Sequence, residues 1–186
     1  MLAERDVLPE RIRGLRRTEY ESLVERGAFE DSRIELLHGA LVEMRPQGAP
    51  HATITARLAN WLTRRLPDTV EIRAHSPLAV SDDSEPEPDV SVVPSGDYKN
   101  SHPTDALLVI EVAESSLRKD RQVKTGLYAA AGIPEYWLVD LERRVAEVRR
   151  QPIEGSYKTI QRIGIDGTLS PEAFPELRLS LAELFA

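Results

Sequence analysis

Apolar positions three and four residues apart predict an amphipathic helix over 53–66. The apolar members of this stretch are Ile54, Leu58, Trp61, Leu62 and Leu66. Their spacing places them on one face of a helix, and arginines occupy other parts of its surface. Pro67 marks the end of the helix, because proline cannot continue a helical hydrogen-bond pattern.

Two further helices are predicted from the residues at their boundaries. Thr18 opens the run Thr-Glu-Tyr-Glu, which has the capping-box pattern, and Gly27 suits the end of the helix that follows. The other helix is predicted from about 117 to 131, because Gly132 and Pro134 come directly after it.

Short runs of apolar and β-branched residues predict strands. Residues 33–44 predict a hairpin with His38-Gly39 at its turn, which puts Glu35 on a strand. Weaker strands are predicted at 69–74, 78–80, 89–93, 144–149 and 157–163, and the segment 177–185 closes the fold.

The runs 107–113 and 136–140 are apolar at nearly every position, which is typical of strands covered on both faces. Trp137 belongs to the second run, so it is assigned to packing. Strand, helix and strand in this order predict a right-handed crossover with a parallel pair at the centre of the fold.

The composition narrows the class of protein. The chain has 186 residues, of which 41% are hydrophobic and 30% charged, as expected of one compact domain. With 0 Cys and 4 His, a disulfide framework, a thiolate zinc site and a cysteine nucleophile are excluded, so a metal would be held mainly by oxygen. No apolar run approaches the roughly 18 residues that span a membrane, and the first residues lack a signal-peptide core, so a cytoplasmic location is expected.

The net charge of −7 argues against binding a polyanion through overall charge. The charge is uneven, however, so local binding stays possible. Residues 1–17 are expected to form a basic arm, which either contacts DNA or is merely solvated. Residues 18–186 are expected to form a single domain. The acidic stretch 82–87 is expected to be a solvated turn, and the basic groups at 118–124 and 143–150 are expected to be solvated surface.

Glu111 is the most informative residue, because an ionised carboxylate in an apolar strand needs a cation beside it. Asp89 opens another predicted strand and could enter the same cleft, and Glu35 is a third strand-borne carboxylate. Three carboxylates at the ends of neighbouring strands would suit Mg²⁺ or Mn²⁺.

Lys124 is the matching cation. It is four residues from both Asp120 and Tyr128, so all three share one helix face that can turn toward Glu111. Lys124 could orient a water, hold a phosphate or stabilise developing charge. A purely structural Glu111–Lys124 ion pair is equally compatible with the residue chemistry.

An ordered set of residues resembles a bacterial family described as putative restriction endonucleases, within the PD-(D/E)XK nuclease superfamily. The set comprises Glu35 with His38-Gly39, His51, Pro88-Asp89-Val90, Glu111-Val112, Asp120, Lys124, Tyr128 and the run Gly-Ile-Pro-Glu-Tyr-Trp-Leu-Val-Asp at 132–140. The resemblance covers the chain from about Tyr20 to its end. It implies an α/β (α+β) fold, with a restriction-endonuclease-like mixed sheet flanked by helices.

The resemblance also implies roles for individual residues. Asp89 and Glu111 would hold the metal with the Val112 carbonyl, and Glu35 matches a further acidic position. The superfamily lysine usually lies two residues after the glutamate, where this chain has Ala113, and its role passes to Lys124 on the following helix. Glu114 also departs from the family pattern and has no assigned purpose.

His51 could touch the substrate, or it could be a capping or packing histidine. Tyr128 could likewise contact the substrate, although a core aromatic is the commoner role for such a residue. Ser115 and Ser116 have neither a partner base nor a nucleophile-elbow setting, so a serine hydrolase is rejected.

The expected function is metal-dependent hydrolysis of phosphodiester bonds, with Mg²⁺ or Mn²⁺ as cofactor and DNA as substrate. Cleavage of both strands by one site per chain favours a homodimer. Two alternatives remain open: a nucleic-acid-binding or accessory module that has lost catalysis, and a structural domain in which Lys124 only neutralises Glu111.

Overall fold

The computed structural model describes residues 13–114 and 120–186. Its helices in this part of the chain are α1 (Arg17–Glu25), α2 (Ala49–Thr63), a π-helical turn (Asp120–Lys124) that continues into α3 (Thr125–Ala130), and α4 (Leu181–Phe185). The strands are β1 (Ile34–Leu37), β2 (Ala40–Glu43), β3 (Val70–Ala74), β4 (Val90–Pro94), β5 (Leu108–Ala113), β6 (Glu135–Asp140), β7 (Val145–Ile153), β8 (Ser156–Ile163), β9 (Thr168–Leu169) and β10 (Leu179–Ser180).

A six-stranded mixed sheet in the order β3-β4-β5-β6-β7-β8 forms the centre of the fold. Strands β5 and β6 are parallel, with Glu111 opposite Leu138, and the other neighbours are antiparallel. The predicted parallel pair is therefore confirmed. The predicted hairpin is also confirmed, as β1 and β2 pair in a separate two-stranded sheet.

Both faces of the large sheet are covered, which explains the uninterrupted apolar runs. Ile110 and Val112 of β5 point into a core that includes residues of α2 and α4. Val109 and Ala113 of the same strand point into a second core on the opposite face, where Tyr128 of α3 packs. Because side chains alternate along a strand, Glu111 projects to the same face as Val109, toward Lys124 and Tyr128.

Segment 78–80 forms no strand, so this prediction is wrong. Leu78 is buried, but its N–H donates to the Pro86 carbonyl, and the Ala79 N–H donates to Pro103. The backbone groups of this segment bond to loops, so the apolar pattern here reflects burial alone.

Two helix boundaries also differ from prediction. Helix α1 begins at Arg17, and the Glu19 carboxylate accepts from the Arg16 N–H at 2.8 Å, so Thr18 is inside the helix. Helix α2 extends over Ala49–Thr63, which places His51 in its first turn. The predicted helix at 117–131 lies partly outside the described residues.

The acidic stretch 82–87 is only partly the solvated turn that its charge predicts. Asp82 and Asp83 are exposed, whereas Glu85 is only 3% exposed. The Glu85 N–H donates to the Leu36 carbonyl at 2.8 Å, and the Leu36 N–H donates back to Glu85. This stretch therefore runs beside β1 and helps to position Glu35.

Most of the predicted basic arm, together with Ser115, Ser116 and part of the basic group at 118–124, lies outside the described residues. Within the described part, Arg13 pairs with Glu19 at 2.8 Å. None of the helices described is long and apolar enough to cross a membrane.

Candidate functional site

A pocket of about 270 Å³ opens beside β5, between the β1–β2 hairpin, the start of α2 and the π-helical turn. Its walls bring together residues that lie far apart in the sequence. They include His51, Asp89, Glu111, Glu114, Asp120 and Lys124. The fold thus collects Asp89, Glu111 and Lys124 around one cavity, whereas Glu35 is fully buried behind Lys124 and is not among the lining residues.

The ammonium group of Lys124 lies between two carboxylates. Its Nζ donates to Glu111 Oε1 at 2.8 Å and lies 3.0 Å from Glu35 Oε2. All three side chains are at most 5% exposed. The four-residue helical spacing and the strand position of Glu111 together account for this contact.

Tyr128 completes the contacts to Glu111 Oε1, because its hydroxyl donates to that oxygen at 2.7 Å. The ring is fully buried and packs against Tyr136, with 5.2 Å between ring centroids. Tyr128 is therefore a core aromatic, and its hydroxyl contacts the carboxylate cluster.

Asp89 lies directly before β4 and is held by several donors. Its Oδ2 accepts the Val112 N–H at 2.8 Å and lies 3.2 Å from His51 Nε2. Its Oδ1 lies 3.5 Å from His75 Nδ1 and 3.4 Å from Gln47 Nε2. The contact with Val112 ties Asp89 to the strand that carries Glu111.

His75 and Gln47 are site residues that the sequence analysis missed. Gln47 Nε2 lies 3.2 Å from His75 Nδ1, so the two side chains form one group beside Asp89. His75 has a φ of 47°, a left-handed conformation that histidine adopts more readily than most residues. Both residues lie in loops, where no periodic spacing could have identified them.

The ionisable groups of the site influence one another strongly. Burial raises the pKa of Glu111, against the opposing effect of Lys124. Burial lowers the pKa of Lys124, but the two glutamates raise it by more, so the group remains an ammonium. The cluster therefore places a positive charge where Glu111 needs one.

Asp89 and His51 form a second coupled pair. Burial raises the pKa of Asp89, but the His51 hydrogen bond and charge, with the Val112 N–H, lower it by more. Burial lowers the pKa of His51, but Asp89 raises it by more. The pairing thus favours a carboxylate at Asp89, the form in which an aspartate binds a cation.

The site contains oxygen donors of the chemical type that a hard divalent cation takes. Among residues 13–114 and 120–186, however, no three His, Asp or Glu side chains are close enough together to hold a metal ion by themselves. Mg²⁺ usually binds through one or two carboxylates and keeps several waters. Asp89, Glu111 and a backbone carbonyl such as that of Val112 are oxygen donors of this type.

The fold and the pocket together define a nuclease-like class: a mixed sheet flanked by helices, with acidic side chains and a lysine in a cavity at its side. The family model described as "Putative restriction endonuclease" (Uma2) matches residues 17–182. The chain belongs to this family, which supports a nuclease. Restriction-endonuclease-like proteins in general use divalent metals.

A solved structure supports the fold independently. The chain is similar to the crystal structure of a "putative nuclease belonging to DUF820" from Anabaena variabilis, with a TM-score of 0.70 and 18% sequence identity. The similarity covers 83% of this chain and 90% of that chain. No curated protein matches the chain.

Proposed function

We propose that the protein is a metal-dependent nuclease that hydrolyses phosphodiester bonds in DNA. Asp89, Glu111 and the Val112 carbonyl would hold Mg²⁺ or Mn²⁺, and Glu35 and Lys124 would complete the catalytic group. Residues 18–186 would act as the catalytic domain.

The observation that carries this proposal is the position of the Lys124–Glu111 pair on the wall of a cavity shared with Asp89. A pair that served only to join helix and sheet would need no access to solvent. Here the ammonium and two acidic side chains face one space that could receive a phosphate. Charged groups arranged around such a cavity are typical of sites that work on charged substrates.

The side chains of this pocket have separate tasks in the proposed reaction. Lys124 would hold a phosphate oxygen or the attacking water and would stabilise the charge that develops on the phosphate. Glu35 would fix the position of Lys124, which it contacts, and Tyr128 would fix that of Glu111 through its hydroxyl. A bound Mg²⁺ or Mn²⁺ would polarise the phosphate and lower the pKa of a coordinated water.

His51 would hold Asp89 in place through its 3.2 Å contact, and it could also reach a substrate phosphate from the pocket wall. The acidic total of the chain does not oppose this function, because a divalent cation reverses the charge that the pocket presents. Cleavage of both strands of a duplex with one site per chain would favour a homodimer, which is part of the proposal. A cytoplasmic location is also part of it.

The test is calorimetric titration of Mg²⁺ and Mn²⁺ into the wild type, Asp89→Ala and Glu111→Gln, with folding checked by thermal melting. We expect the wild type to bind metal and both folded variants to lose binding. Cleavage of single-stranded, double-stranded and branched DNA should follow the same order. A matched control is Glu142→Gln, since Glu142 has a side chain that is 79% exposed and does not line the pocket.

A nucleic-acid-binding module without catalysis is the second candidate. It is favoured by the observation that Glu111 Oε1 already accepts two hydrogen bonds, from Lys124 and Tyr128. This candidate predicts salt-sensitive DNA binding that survives Asp89→Ala, with no metal-dependent cleavage by the wild type. Cleavage by the wild type that is lost in Asp89→Ala would exclude it.

A further inference from the structure

A second cavity of about 450 Å³ lies beside α1 and adjoins the catalytic pocket. Its apolar lining comes from Tyr20 and Val24 of α1, Phe29 and Ile34. Arg33 and Glu87 line both cavities, so these two side chains form the wall between them. The two cavities are therefore neighbours that share these two lining residues.

The dividing wall is an ion pair. Arg33 Nη2 donates to Glu87 Oε2 at 2.7 Å, and the Arg33 side chain is 45% exposed. The Glu87 N–H lies 3.4 Å from Glu35 Oε2, which connects the wall to the Lys124 cluster. A planar guanidinium at this position can bind a phosphate through two parallel hydrogen bonds.

The second cavity has the chemistry of a site for a planar aromatic group. Tyr20 is only 4% exposed and its hydroxyl donates to the Ile34 carbonyl. The ring that a ligand can reach is therefore that of the half-buried Phe29, which stacks on Tyr20 with 5.8 Å between ring centroids. Val24 is 48% exposed and is one of four large apolar side chains among the described residues that are exposed rather than buried. Aromatic and apolar surfaces of this kind bind nucleobases in single-stranded nucleic acid.

Three carboxylates and one guanidinium, that of Arg33, line the cavity, so its interior disfavours a phosphate as the occupant. Glu30, Asp31 and Glu87 line it, and their carboxylates would repel a negatively charged group. Carboxylates accept hydrogen bonds from the amino groups at the edges of bases. A neutral ring with amino groups on its edge therefore fits both the apolar wall and the acidic rim.

We propose that this cavity binds the base of a nucleotide next to the scissile phosphate, with Arg33 holding the phosphate between the two cavities. The proposal rests on the nuclease function proposed above and names its substrate class. A base in a duplex is stacked and paired, so it can enter the cavity only when its nucleotide is unpaired. The substrate is therefore a strand that is single, or locally unpaired, beside the cleaved bond.

The test removes the accessible ring of the cavity by Phe29→Ala and measures binding of a labelled single-stranded oligonucleotide by fluorescence anisotropy, with Ca²⁺ in place of Mg²⁺ to prevent cleavage and with folding checked by thermal melting. The matched control is Ile160→Ala, because Ile160 is an exposed apolar residue, at 56%, and lines neither cavity. A second probe is a strand of the same length made only of abasic units, and a third is a fully paired duplex.

We expect the wild type and Ile160→Ala to bind the intact strand about tenfold more tightly than the abasic strand, as base stacking on aromatic side chains provides. Phe29→Ala should bind both strands equally, at the level of the abasic strand. The wild type should bind the duplex less well than the single strand and, with Mg²⁺ present, should also cleave it less well. Arg33→Gln should weaken binding of the intact and abasic strands alike, because the proposed contact of Arg33 is with the phosphate, which both strands have.

Two different results would overturn the proposal. If Phe29→Ala keeps the preference for the intact strand, or if the wild type has none, the cavity holds no base while the nuclease function still stands. If the wild type neither binds nor cleaves any of the probes with Mg²⁺, Mn²⁺ or Ca²⁺ present, the nuclease function fails and the base site fails with it.

Discussion

Two buried glutamates on neighbouring parallel strands have opposite surroundings. Glu135 begins β6 and is fully buried, and both of its carboxylate oxygens are bonded to fixed donors: Trp137 Nε1 at 2.8 Å, the Arg150 guanidinium at 2.6 Å and the Glu172 N–H at 2.6 Å. Glu111 on β5 is also buried but lies on the wall of the pocket beside β5.

The difference shows that a carboxylate buried in an apolar strand is not by itself a sign of an active site. Glu135 joins β6, β7 and the segment near Glu172, and it lines no part of the pocket beside β5. Glu111 accepts from a lysine and a tyrosine side chain, and both Glu111 and that lysine line the pocket. Removal of the partners of each carboxylate should therefore affect different properties of the protein.

The largest effect is expected from Lys124→Met, which removes the ammonium from between Glu35 and Glu111. Cleavage should fall by about 10²–10³-fold, as for loss of one group that stabilises transition-state charge. The free energy of unfolding should fall by about 3 kcal/mol, because two buried carboxylates lose their cation. Steady-state cleavage kinetics and denaturant unfolding measure the two effects.

Lys158→Met is the matched control for this substitution, since Lys158 is an exposed lysine on β8 outside the pocket. Both properties should stay at the wild-type level in that variant. If Lys124→Met lowered the stability but left cleavage unchanged below its melting temperature, Lys124 would be the structural counterion of Glu111 and the comparison with Glu135 would collapse.

A smaller effect is expected from Arg150→Met at the other glutamate. Glu135 would keep its bonds from Trp137 and Glu172, so the unfolding free energy should fall by about 2 kcal/mol, the scale of one hydrogen bond to a charged group. Metal affinity and cleavage should be unchanged. Thermal melting with calorimetric metal titration checks this, and weaker metal binding by a fully folded Arg150→Met would contradict the division between the two glutamates.

The sequence revealed the part of the site that lies on regular elements. Glu111 interrupts an apolar run and Lys124 lies one helical turn from Tyr128, and those two patterns correctly placed the three side chains together. Glu135 also adjoins an apolar run, but no pattern distinguishes it as structural, because its partners Arg150 and Glu172 come from distant segments.

The rest of the site depends on long-range contacts that local patterns do not record. Gln47 and His75 meet Asp89 from two loops. The charge of the stretch 82–87 predicts a solvated turn, yet the backbone of Glu85 is hydrogen-bonded to that of Leu36 and the residue is buried. Segment 78–80 is apolar enough for a strand but bonds to loops. In each case tertiary packing outweighs the local preference of the sequence.

The smallest effect is expected from Tyr128→Phe, which removes one hydroxyl from Glu111 and keeps the ring. Its matched control is Tyr157→Phe, because the Tyr157 hydroxyl is likewise buried and donates to the Ile133 carbonyl at 2.9 Å. Each variant should lose about 1 kcal/mol of unfolding free energy. Only Tyr128→Phe should also slow cleavage, by about three- to tenfold, since only that hydroxyl fixes a carboxylate of the pocket. Equal cleavage rates in the two variants would make Tyr128 a packing residue, and Glu111 would then depend on Lys124 alone for its position.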